Sequence, residues 1–80
     1  MTVTVRLFAS YAECLGKSAI DMELRDGATV DDVVSTLALL PGGERLPPSP
    51  LVAVNQSYAR RGTLVKQGDE VAVIPPVAGG

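Results

Sequence analysis

Thr29-Val30-Asp31-Asp32-Val33-Val34-Ser35-Thr36-Leu37-Ala38-Leu39-Leu40-Pro41 is the stretch that decides the fold. Val30, Val33, Val34, Leu37 and Leu40 recur at helical spacing and make one apolar stripe. Thr29 is placed to cap the N-terminus, and Asp31 and Asp32 suit the positive end of the helix dipole. Asp32 stands three residues after Thr29, as in a capping box but with the shorter acid. Pro41-Gly42-Gly43 stops the helix. A helix with a single apolar stripe needs an apolar surface to cover, and its flanks supply one as strands.

On the N-terminal side, residues 3 to 8 alternate. Val3, Val5 and Leu7 share one face, and Thr2, Thr4 and Arg6 the other. By parity Phe8 falls on the polar face, either closing the strand or standing as a functional exposed aromatic. Residues 9 to 15 read as a short helix, with Tyr11, Cys14 and Leu15 at i, i+3, i+4 and Gly16 suited to its left-handed end. Ile20, Met22 and Leu24 alternate with Asp21 and Glu23 as a second strand, and Asp26-Gly27 turns the chain.

On the C-terminal side, residues 41 to 50 hold four of the six prolines and read as a surface loop. Leu51 to Val54 is a short strand, and Asn55-Gln56 a turn served by the asparagine side chain. Tyr58-Ala59 is a further short extended piece, ended by Arg60-Arg61-Gly62. Gly68-Asp69 turns into a last strand, Glu70 to Ile74. The order β-α-β-α-β-β predicts an α+β domain, a mixed sheet with one main helix across a face.

Composition narrows the function. The chain has 80 residues, 46% of them apolar and 20% charged, with a net charge of −2. That is one small globular domain, which buries somewhat over ~60% of its unfolded surface. There is no His and one Cys, Cys14. A Cys/His zinc site, a Ser-His-Asp triad and a Cys-His pair are therefore excluded within this chain, as is a disulfide framework. No metal site is expected. A slightly acidic chain is a poor match for the nucleic-acid backbone. No apolar run approaches ~18 residues, so no membrane span is expected and the reading is cytoplasmic. Cys14 reads as a buried structural thiol.

The end of the chain is the informative feature. No side chain from Val71 to Gly80 is charged, and the last two residues are Gly79 and Gly80. With Gly near ~7% of residues, a terminal pair arises by chance in about 0.5% of chains. Two glycines without Cβ atoms suit a channel too narrow for other residues. Pro75 and Pro76 remove two backbone donors, stop the sheet ladder and stiffen the exit. The expected organisation is a domain over residues 1–74 and an extended tail over 75–80. Pro75, Pro76, Val77, Ala78 and Gly79 would form the tail that enters a partner's channel. Fully extended, the tail reaches ~20 Å, against a domain radius of gyration of ~12 Å. A carboxylate is a poor electrophile, so a reactive Gly80 needs activation. A partner using ATP could form an acyl-adenylate, and a thiol or persulfide could displace AMP. The product is a thioester or a thiocarboxylate, which is nucleophilic at sulfur.

The chain resembles the small subunits of molybdopterin synthase, sulfur carriers with the β-grasp (ubiquitin-like) fold. The likeness runs through Leu7-Phe8-Ala9, Glu13-Cys14-Leu15-Gly16, Ala53-Val54-Asn55-Gln56, Leu64, Gly68-Asp69-Glu70-Val71-Ala72, Pro75-Pro76-Val77 and Gly79-Gly80. It implies that a ubiquitin-activating-like adenylyltransferase adenylates Gly80 and that a sulfurtransferase converts it to a thiocarboxylate. The tail would then enter the large, catalytic subunit and give sulfur to cyclic pyranopterin monophosphate. The implied complex is a heterotetramer, with no cofactor on this chain and the catalytic side chains on the large subunit. Ala12 departs from the family, which often has a basic residue there, and so puts any partner contact through that position in doubt.

Phe8, Arg60 and Arg61 are candidate docking residues, although the arginines also suit a solvated turn. Asp69-Glu70 suits turn chemistry or contact with the activating enzyme. Two alternatives stay open. One is a carrier of the same fold for thiamine or cysteine synthesis. The other is a ubiquitin-like modifier or passive binding module. A stand-alone enzyme is disfavoured, because no spacing among the carboxylates, lysines and cysteine indicates an assembled site.

Overall fold

The computed structural model describes residues 1–76. Val77, Ala78, Gly79 and Gly80 lie outside the described residues. Strand β1 (Thr2–Leu7) leads through α1 (Ser10–Leu15) to β2 (Ala19–Glu23) and the main helix α2 (Val30–Ala38). A 3₁₀ turn (Gly43–Arg45), β3 (Leu51–Val54), β4 (Ser57–Tyr58) and β5 (Glu70–Ile74) complete the order. The expected α+β architecture with the β-grasp fold is present. The five strands form one mixed sheet in the order β2-β1-β5-β3-β4. β1 and β5 pair in parallel at its centre, and the other pairs are antiparallel.

The alternation in β1 produces the expected division of faces. Val3, Val5 and Leu7 are buried, as are Val71 and Val73 of β5. Register sets Val5 beside Val71 and Leu7 beside Val73. Met22 of β2 and Val52 of β3 extend this inner face, and Val30, Val33 and Leu37 of α2 close over it. Each such side chain contributes about 1.5–3 kcal/mol through burial.

The start of α2 is a complete capping box. The Thr29 hydroxyl accepts from the Asp32 N–H, and the Asp32 carboxylate accepts from the Thr29 N–H at 2.8 Å. This bond holds the Asp32 carboxyl below its ordinary range, with Arg25 at 3.3 Å adding to the effect.

Several expectations shift. β1 covers residues 2 to 7, not 3 to 8, and the last short strand is Ser57–Tyr58, not Tyr58-Ala59. Cys14 is half-buried, not buried, and its thiol lies 3.5 Å from the Arg45 carbonyl oxygen. A six-residue α1 buries only Tyr11 fully, which leaves Cys14 at its edge. Residues 41–50 are more than a surface loop. Gly43 is buried, and the Tyr11 hydroxyl donates to the Pro47 carbonyl at 2.6 Å. Burial pushes the Tyr11 phenol up from its ordinary pKa.

Gly42-Gly43 does more than stop the helix. Gly42 has φ +89°, and a Cβ there would collide with the Cys14 carbonyl oxygen. The loop thus crosses the end of α1 at backbone contact. Gly42→Ala should therefore cost about 1–3 kcal/mol by overpacking and strain. Gly62→Ala, where a Cβ meets nothing within 4 Å, is the control and should change stability little. Urea unfolding of both variants checks this contrast.

Candidate functional site

The second face of the sheet carries no helix, and register arranges its side chains in rows. Asp21, Thr4 and Glu70 stand in one row. Ala19, Arg6, Ala72, Ala53 and Tyr58 form the next. Phe8 follows β1 out of the sheet, its N–H donating to the Val73 carbonyl at 3.3 Å, and Ile74 and Leu51 pair across β5 and β3 beside it. The face therefore grades from acidic, through Arg6, to apolar at the end where β5 leads into Pro75.

The apolar end is a shallow hollow of about 570 Å³ lined by Arg6, Phe8, Ala53, Gln56, Tyr58, Glu70, Ala72 and Ile74. Phe8 is 43% exposed and Tyr58 76%. Two aromatics left in water on one face, rimmed by polar groups, make it the candidate interaction surface. Arg6 and Glu70 stand 3.6 Å apart in its floor as an exposed ion pair, an arrangement of small energetic weight in the free protein.

A polar strut fixes the β3–β4 hairpin to the start of β5. Asn55 and Gln56 occupy positive φ, 49° and 73°, in the turn. The Asn55 amide donates to Asp69 at 2.9 Å and its oxygen accepts from the Glu70 N–H at 2.9 Å. Asp69 also accepts from the Lys66 N–H at 2.8 Å. The turn roles expected of Asn55 and Asp69 are present and joined into one network, which anchors the hairpin carrying Tyr58 on the open face.

The docking candidates do not come together. Phe8 lies on the open face. Arg61 donates to Asp31 of α2 at 3.0 Å, on the helix side, and its carbonyl accepts from the Asp31 N–H at 2.9 Å. There it borders a second, tighter apolar cavity of about 190 Å³ between α2 and the proline-rich loop, away from Phe8. Arg60 is exposed, and its carbonyl accepts from the Thr63 N–H. Pro75 is half-buried and Pro76 exposed after β5, while Val77, Ala78, Gly79 and Gly80 lie outside the described residues.

Sequence reasoning missed Tyr58, Ile74, Leu51 and Ala72 as members of the face that Phe8 occupies. These residues lie on three different strands, and only the strand order makes them neighbours. Among the described residues no three His, Cys, Asp or Glu side chains gather as a metal-holding group, and no helix is long and apolar enough to cross a membrane.

Residues 5–80 match the model of the ThiS family. The chain belongs to the ThiS family. It is 36% identical over 83 residues to the molybdopterin synthase sulfur carrier subunit of Chlamydomonas reinhardtii, covering 100% of both chains. It is 38% identical over 86 residues to the subunit of that name in Haemophilus influenzae, covering 98% of this chain and 99% of the relative. Among solved structures, SAMP1 of Haloferax volcanii superposes with a TM-score of 0.84 at 29% identity over 100% of both chains. In this ThiS-family chain the Asn55 strut is a specific target. Asn55→Ala removes two hydrogen bonds and puts a Cβ without a local polar partner at positive φ. The expected loss is about 1–3 kcal/mol. Asn55→Gly keeps the φ and should lose less, and denaturant titration of the pair separates the two contributions.

Proposed function

We propose that this chain is the sulfur carrier subunit of a molybdopterin synthase, with the Gly80 carboxylate as its reactive group. The observation that carries the reading is the full-length likeness, at 36% and 38% identity, to sulfur carrier subunits of that enzyme. The composition, with no His and one Cys, and the uncharged segment Pro75-Pro76-Val77-Ala78-Gly79-Gly80 agree with it. The chemistry then belongs to the main chain.

In this reading a ubiquitin-activating-like adenylyltransferase joins the Gly80 carboxylate to AMP and releases pyrophosphate from ATP. A sulfurtransferase persulfide displaces AMP, and reductive cleavage of its S–S bond by a thiol leaves the thiocarboxylate. The open face around Phe8 and Tyr58 docks on the large subunit while Pro75 to Gly80 enter its channel. Sulfur passes to cyclic pyranopterin monophosphate, and water restores the carboxylate. The chain acts without catalytic side chains or a cofactor of its own, in the cytoplasm. A carrier for thiamine or cysteine synthesis would share the activation steps but not this acceptor.

Reconstitution with the large subunit and cyclic pyranopterin monophosphate tests the proposal. Thiocarboxylated protein should yield the dithiolene product. A variant lacking Gly80 should fold and dock but transfer no sulfur. Phe8→Ala and Tyr58→Ala should weaken docking by about tenfold or more each, as exposed aromatic anchors do, with unchanged thermal unfolding. An active chain lacking Gly80, or sulfur delivery only to a thiazole precursor, would overturn the assignment.

A further inference from the structure

Strand β2 is one edge of the sheet, and its outer side is open. Met1 and Leu24 exchange hydrogen bonds at 2.8 Å, and the Leu7 N–H donates to the Ser18 carbonyl at 2.9 Å. In an antiparallel pair such bonded positions alternate with unbonded ones. Ile20 and Met22 therefore bond to β1 through Val5 and Val3. The N–H and C=O groups of Ala19, Asp21 and Glu23 point away from the sheet. Among the described residues no other segment's backbone bonds to them. An edge of this kind is a template for one more strand.

The side chains along the edge decide which strand fits. Beside Ile20, on the helix side, lies a small apolar hollow of about 110 Å³ lined by Leu15, Lys17, Ile20, Leu40 and Pro41. Leu15, Ile20 and Leu40 are only half-buried. On the open face Asp21 and Glu23 are exposed. Each accepts through one carboxylate oxygen from a β1 hydroxyl, Thr4 for Asp21 and Thr2 for Glu23, which leaves the second oxygen to a partner. The neighbouring cations are engaged elsewhere or mark the ends. Arg6, beside Ala19 in register, stands 3.6 Å from Glu70. Arg25, past Glu23, reaches Asp32 of α2 at 3.3 Å. Lys17 bounds the hollow at the Ala19 end. Charges on an edge discourage indiscriminate pairing, yet they select a strand that answers them.

We propose that the β2 edge holds an extended segment of a partner protein as a sixth, antiparallel strand, one that alternates basic and apolar residues and ends in an acid. Directly opposite residues of paired strands share a face. Basic residues opposite Glu23 and Asp21 meet those carboxylates. Apolar residues opposite Met22 and Ile20 face the helix side, the latter over the hollow. The antiparallel direction brings the segment's acidic, C-terminal end to Lys17. Main-chain bonds at Ala19, Asp21 and Glu23 attach the strand, and the side chains select it. Four strand spacings, about 19 Å, separate β2 from β4. The added strand and a partner seated around Tyr58 thus use different parts of the sheet. The inference goes beyond the carrier reading and does not rest on it.

Amide-shift titration of the full, isotope-labelled chain with the peptide acetyl-Arg-Val-Arg-Ile-Thr-Asp-amide tests this. Its arginines stand opposite Glu23 and Asp21, and its isoleucine opposite Ile20. Shifts should saturate and centre on Ala19 to Glu23, with Leu15 and Leu40. The N–H of the second arginine faces the edge and that of the isoleucine faces away, so N-methylation should weaken binding about tenfold or more at the first and less than about threefold at the second. Asp21→Lys should weaken binding about tenfold, and a peptide with glutamate for the second arginine should restore it to within about threefold. Asp21 is exposed, so circular dichroism should show a native fold. If the reversal unfolds the chain, Asp21→Asn replaces it and should weaken binding about threefold. No saturable shifts, shifts centred on Tyr58, equal losses from the two methylations, or a charge exchange without recovery would each overturn the proposal. Sulfur transfer is read separately, so failure of the edge pairing leaves the carrier assignment standing.

Discussion

The parallel pairing of β1 with β5 is the constraint on which the rest of the structure depends. A parallel pair cannot be closed by a tight turn, so the chain between them must cross over. Here that crossover contains both helices and the other three strands. Val5 beside Val71 and Leu7 beside Val73 are almost fully buried. Slipping either strand by one residue would expose this apolar set and bury Arg6 or Glu70. The pairing also fixes direction. It brings Phe8, just after β1, and Ile74, the last residue of β5, to one end of the sheet. The apolar hollow and the start of the Pro75–Gly80 segment are neighbours for that reason.

The two faces of the sheet then do different work. The inner face is valine-rich and covered by α2, whose capping box sets where the helix begins. The outer face is left open and is held in shape by polar links at its margins. Asn55 ties the β3–β4 hairpin to β5, and Thr4 donates to Asp21 across β1 and β2. These links bear on where the exposed aromatics stand more than on the core.

Much of this was legible in the residues because it is local. The capping box at Thr29 and Asp32, the alternation in β1, the left-handed Gly16 and the span of β5 follow from short-range chemistry. Phe8 fell on the open side by parity alone. What escaped was contact between distant segments. Nothing near Gly42 reveals that the Cys14 carbonyl will pass against it. Nothing near Arg61 reveals Asp31 as its partner. Tyr58 and Ile74 join Phe8 only once the order β2-β1-β5-β3-β4 is known. The half-exposure of Cys14 follows from how short α1 is, which helical spacing does not limit.

The central claim is that the reactive atoms belong to the Gly80 main chain and not to any side chain. It is tested most directly by incubating the full chain with an adenylating enzyme, ATP and a sulfur source, then measuring intact mass and fragmenting the C-terminal peptide. One oxygen should be replaced by sulfur, located at Gly80 and absent without ATP. An unchanged mass under conditions that convert a Haemophilus influenzae sulfur carrier subunit, or sulfur located at Cys14 instead, would contradict it.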